Sequence, residues 1–156
     1  MDIFDGDNFA EIWLCFLELE ISRSRILMEG TGSANTYLVM QAISYHQLRL
    51  VYESKNGDGS YSTMLDAYLS REDTKFNVRK KLNYSTISLW TGLDKETVRR
   101  SCKNLEKQNI LRIRPGTGIE LNLDGGVGMA LVELHEKVKP LVSRFLSKAT
   151  RLASTD

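Results

Sequence analysis

STISLWTGLDKETVRRSCKNLEKQNIL, residues Ser85 to Leu111, holds the residue types that two short helices crossing at a tight turn require. Ser85 is suited to cap the first helix, Ile87 points to a core, and Ser88 is small enough to let a second helix pass close. Gly92 takes the positive φ of the turn without steric cost, Leu93 anchors the turn, and Asp94 caps a second helix over residues 94–108 with a charge that suits its dipole. Val98, Cys102 and Leu105 recur at i, i+4 and i+7 and so share one buried stripe. Geometry then puts Glu96, Arg100, Lys103 and Lys107 on the opposite side, with Thr97 and Asn104 on one flank and Arg99 on the other. Lys95, in the first turn, belongs to the same candidate set. This is a cationic face with hydrogen-bonding groups, the surface that a reading helix presents to base edges and phosphates. The plain alternative is a solvated helix face steadied by a Glu96–Arg100 pair at i, i+4.

The residues after the second helix favour the nucleic-acid reading. Asn109 stands where a helix stop is needed, Ile110 and Leu111 return to the core, and Leu111 to Arg114 alternates apolar and basic residues as a half-buried strand does. Pro115-Gly116-Thr117-Gly118 is turn chemistry and Ile119 to Leu123 alternates again, which predicts a β-hairpin. Arg112 and Arg114 share one face of its first strand, in reach of phosphate or the minor groove. The expected fold class is mainly α with a small β-hairpin wing: a winged helix-turn-helix within residues 61–124, flanked by dimerisation helices in 1–60 and 125–156.

Charge is distributed accordingly. The chain of 156 residues carries a net charge of only +1. Residues 1–74 hold 5 Lys/Arg against 12 Asp/Glu, residues 75–114 hold 11 against 3, and residues 115–156 hold 5 of each. A cationic block beside an acidic remainder is the footprint of a polyanion-binding surface.

The run TGLDKETVRRSCKNLEKQNIL resembles the helix-turn-helix of MarR-type regulators and related bacterial winged-helix proteins, above all in Gly92-Leu93, Glu96-Thr97-Val98-Arg99-Arg100 and Leu105-Glu106-Lys107. The resemblance covers residues 82–122; Asn109 replaces the usual Gly after the second helix, and the hairpin is short. It implies a homodimeric, sequence-specific regulator that binds double-stranded DNA, with a possible small-molecule effector that no residue here specifies. Winged helices also serve as protein-interaction modules and in replication or partition proteins, so the fold alone does not decide. The cationic block separates the readings, because a protein platform has no need to gather cations on that face.

Around this segment, Phe9, Ile12, Trp13 and Phe16, with Leu14, Cys15 and Leu17, predict a first helix over 8–28 that is apolar on more than one side. Asn35 is placed to cap a second helix that runs to about Glu53. Ser54 to Ser60 is turn chemistry, and its Asn56, Asp58 and Ser60 miss the calcium-loop pattern, which wants Gly at Tyr61 and Glu at Ala67. A short helix over Met64–Ser70 then leads to the basic run Arg79-Lys80-Lys81. After a joint at Gly125, Gly126 and Gly128, the positions Leu131, Leu134, Val138, Leu141, Phe145 and Leu152 repeat at 3–4 spacing, with Pro140 expected to kink or restart that helix. In MarR-like proteins the first and last helices intertwine as the dimer interface, and both are apolar enough here.

Other functions find little footing. His46 and His135 have no ligand-spaced neighbours, no phosphate-cradling loop or cofactor motif occurs, and neither a catalytic nor a metal site is expected. Cys15 and Cys102 sit within apolar helical patterns and are expected to be buried and inert. The acidic start and the absence of any apolar run approaching ~20 residues predict a cytoplasmic protein that does not meet the membrane.

Overall fold

A computed structural model describes residues 7–54, 59–70, 81–116, 118–123 and 126–154, with side chains left out at 67–70, 127 and 128. Asn56, Asp58, Arg79, Lys80, Thr117 and Gly125 lie outside the described residues. The chain is mainly helical with one small antiparallel hairpin. Its elements are α1 (Phe9–Thr31), α2 (Ala34–Ser54), α3 (Tyr61–Ser70), α4 (Tyr84–Thr91), α5 (Lys95–Lys107), β1 (Leu111–Arg114), β2 (Gly118–Leu121) and α6 (Val127–Ala153). Two compact units result: Thr31–Val132, and Met1–Gly30 with Glu133–Asp156.

In the first unit α2 packs against α4, α5 and β2. The core joins Val39, Met40 and Ile43 of α2 to Leu82, Ile87 of α4, the Val98, Cys102 and Leu105 stripe of α5, and Leu111, Ile119 and Leu121 of the hairpin. Each of the Val, Leu, Ile and Met side chains among them contributes roughly 1.5–3 kcal/mol when fully buried rather than exposed. The hairpin pairs Leu111 with Leu121, Arg112 with Glu120, Ile113 with Ile119 and Arg114 with Gly118. Its second strand therefore starts at Gly118 and ends at Leu121, ahead of the predicted Ile119–Leu123. The second strand also bonds to backbone outside the hairpin, the Ile119 N–H donating to the Leu82 carbonyl at 3.0 Å.

Three helix starts differ from the sequence expectation. Asn83, not Ser85, caps α4: its Oδ1 accepts the Thr86 N–H at 2.9 Å. Leu82 before the cap and Ile87 four residues into the helix are both fully buried, the pairing that fixes chain entry at a helix start. A cap at Ser85 would put Leu89 in Ile87's role, and Leu89 is 81% exposed. Ser33, not Asn35, caps α2, its Oγ accepting the Thr36 N–H at 3.1 Å. The helix before it runs through Gly30 to Thr31 and stops where Gly32 adopts φ 80°. Likewise α3 begins at Tyr61, three residues earlier than predicted. Replacing Asn83 by Ala should lower the unfolding free energy by about 1 kcal/mol, whereas Ser85→Ala should change it by less than about 0.5. Urea titrations of the two variants check this, and equal losses would return the cap to Ser85.

In the second unit α1 lies antiparallel to the C-terminal part of α6. Asn8 Nδ2 donates to the Leu152 carbonyl at 3.0 Å, Lys148 Nζ lies 3.9 Å from Glu11 Oε1, and the Phe16 and Phe145 rings meet edge to face at 6.0 Å. Part of the 3–4 apolar spacing of α6 is thus met by α1 of the same chain. The helix does not restart at Pro140: α6 is continuous from Val127 to Ala153 with Pro140 inside it. Pro140 and Glu136 are both exposed, so the helical bond that the proline removes lies on the outer side of the helix rather than in a core.

Candidate nucleic-acid interface

The turn between α4 and α5 is built as its residues suggest. Gly92 has φ 72° and closes α4 through its N–H on the Ser88 carbonyl at 2.9 Å. Ser88 does more than leave room: its Oγ donates to the Leu93 carbonyl at 2.6 Å and ties the turn to α4. Leu93 packs on the core. Asp94 caps α5, Oδ1 accepting the Thr97 N–H at 2.9 Å and Oδ2 the Thr97 hydroxyl at 2.6 Å. These bonds to Thr97 hold the Asp94 carboxyl below the usual range, so it stays charged at the positive end of the helix.

At its other end α5 closes on Asn109, which takes the left-handed conformation (φ 63°). The Asn109 N–H bonds the Glu106 carbonyl and the Ile110 N–H the Leu105 carbonyl, both at 2.9 Å, the paired pattern of a left-handed helix stop. Asn122, buried just past β2, fastens that stop. Its Nδ2 donates to the Asn109 carbonyl at 2.8 Å and to Asn109 Oδ1 at 3.0 Å, and its N–H donates to the Ile110 carbonyl at 2.8 Å.

Between these fixed ends Val98, Ser101, Cys102 and Leu105 face inward, and burial pushes the Cys102 thiol up to about 12, which keeps it protonated and unreactive. The outward face gathers Lys95, Glu96, Arg99, Arg100, Lys103, Asn104 and Lys107, all exposed, with Thr97 half-buried beside them. Five cations thus stand against two carboxylates on thirteen residues. Glu96 pairs with Arg99 rather than with Arg100: Arg99 Nε donates to Oε2 at 2.8 Å and Nη2 to Oε1 at 2.7 Å. The planar guanidinium fork matches a carboxylate two bonds at a time, and Arg100 turns its Nη2 to Thr97 Oγ1 at 3.4 Å. Lys103 Nζ donates to Glu106 Oε2 at 2.9 Å. These pairings lower the Glu96 and Glu106 carboxyls and raise Arg99 and Lys103, so the face keeps its charges at neutral pH.

The remaining predicted site residues surround α5 less tightly. Ser85 is exposed in the first turn of α4. Arg112 is half-buried opposite Glu120, and exposed Arg114 points its Nε at Glu120 Oε1, 3.7 Å away. The residues that sequence reasoning missed are the ones that hold this surface in place: Leu82, Asn83, Ser88 as a donor, and Asn122. Leu82 and Ile87 flanking Asn83 at staple spacing was the available signal for the first two; Asn122 had none.

No family model, curated protein or solved structure matches the chain. Among the described residues no group of three or more His, Cys, Asp or Glu is placed to hold a metal, and no helix is long and apolar enough to cross a membrane.

Proposed function

We propose that the α4–turn–α5–hairpin unit is a winged helix-turn-helix of the MarR-like kind, and that the protein is a cytoplasmic, homodimeric regulator of transcription rather than an enzyme. In this reading α5 enters the major groove of double-stranded DNA and Arg112 and Arg114 on the hairpin approach the flanking backbone. The observation that carries it is the outward face of α5, with five cations on a helix whose two ends are both locked. Bidentate seating of Arg99 on Glu96 leaves the far edge of the guanidinium for a base or phosphate acceptor, and Lys95, Arg100 and Lys107 supply further donors.

Binding carried by such a surface depends steeply on salt. A dimer making about 6–10 phosphate contacts should lose ~10³–10⁵ in affinity between 50 and 200 mM monovalent salt. Fluorescence anisotropy on a labelled duplex across that range measures the slope, and a flat slope would remove the reading.

A further inference from the structure

The first helix has apolar side chains on two opposite faces, and its own chain covers one of them. Ile12, Cys15 and Leu27 are buried, and Phe16 turns to Phe145. On the other side Leu14, Leu17, Ile21 and Met28 are exposed at 67, 41, 71 and 40%. At 100° per residue these four fall within an arc of about 60°, a narrow seam of the kind that helices bury against one another. Along one edge of the seam stand Glu18 and Arg25, both exposed.

We propose that this seam docks on the same seam of a second copy, the two α1 helices running antiparallel about a two-fold axis beside Ile21. The occupant is set by charge. A two-fold axis between antiparallel helices keeps each edge of the seam on its own side and reverses the order of residues along it. Glu18 lies three residues before Ile21 and Arg25 four after, so the operation brings Glu18 level with the partner's Arg25 to within about one residue's rise, ~1.5 Å. The pairing occurs twice, once on each side of the axis. Leu14 meets the partner's Met28 by the same operation, and the most exposed side chain of the seam, Ile21, lies at its centre. A parallel arrangement would instead put the Glu18–Arg25 edge of each copy on opposite sides of the interface, where neither charge meets its complement. The surface is self-complementary in one direction only.

The surface rests on the proposed homodimer and gives that dimer its interface. Sedimentation equilibrium on the full chain at micromolar concentration tests it. The wild type should show about twice the 17.7 kDa chain mass, and Ile21→Glu should be monomeric with an unchanged far-ultraviolet circular dichroism spectrum. Glu18→Arg alone and Arg25→Glu alone should each raise the dimer dissociation constant about tenfold, and the two together should restore it to within about threefold of wild type. A wild-type chain that stays monomeric removes both the dimer and this surface. A dimer indifferent to Ile21→Glu removes the surface and leaves the homodimer standing. Single charge changes that the double change fails to rescue overturn the antiparallel register.

Discussion

Conversion of Arg99, Arg100 and Lys103 to Glu together is expected to lower duplex affinity by ~10³-fold or more at about 100 mM salt. All three are exposed on one face of α5, and each reversal replaces an attraction to phosphate or base by a repulsion. The fold has little to lose, because none of the three side chains contributes to the buried stripe. Glu96 and Glu106 do lose their partners, so retained helicity and a cooperative melt must accompany the binding measurement. Unchanged duplex binding in a folded triple variant would discard the DNA reading. If the same change abolished capture of a protein partner by a chain that binds no duplex, the interaction-module reading would replace it.

Gly118→Ala should destabilise the protein by about 3 kcal/mol or more, a large share of the roughly 5–15 kcal/mol that holds a domain folded. Gly118 has φ 83°, and a Cβ there would lie 2.5 Å from the Leu82 carbonyl oxygen and 3.3 Å from the Leu82 nitrogen. Both neighbours are backbone, so no side-chain rotation relieves the contact. Retreat of the strand would break the Ile119 N–H bond to that same carbonyl. Gly92→Ala is the control: its φ is also positive, but nothing lies within 4 Å of the added carbon. Only the backbone strain remains there, about 1 kcal/mol. Urea midpoints of the two variants measure the difference, and a Gly118→Ala protein as stable as Gly92→Ala would mean that Leu82 does not approach the hairpin so closely.

The contrast between these two glycines also marks what the sequence could disclose. Gly92, Leu93, Asp94 and the Val98–Cys102–Leu105 stripe were legible because each answers a local demand: a positive φ, an anchor, a cap, a repeat of one helical turn. Asn109 was legible for the same reason. Residue type alone could not choose between Asn83 and Ser85, since both cap well; the flanking pair Leu82 and Ile87 does choose. The Glu96 partner turned on geometry finer than spacing, the match of a planar fork to a carboxylate at i, i+3. Gly118 and Asn122 were illegible in kind. Their roles come from Leu82 and Asn109, 36 and 13 residues away along the chain, and only folding brings those backbones together. In α6 the 3–4 spacing announced a helical partner without saying whose, and part of it is met by α1 of the same chain.

The Asn122 clamp has a mechanical consequence. Its three hydrogen bonds run from the end of the hairpin to the two residues at which α5 stops, and Asn122 itself is buried, so a broken bond would leave its amide unsatisfied. Hairpin and helix are therefore welded at the joint where a hinge would otherwise sit. A force applied at the tip near Arg114 turns α5 with it rather than bending the strand pair away. Any surface that this unit meets must accommodate a fixed distance between hairpin and helix, and the entropy of setting that distance has already been lost in folding.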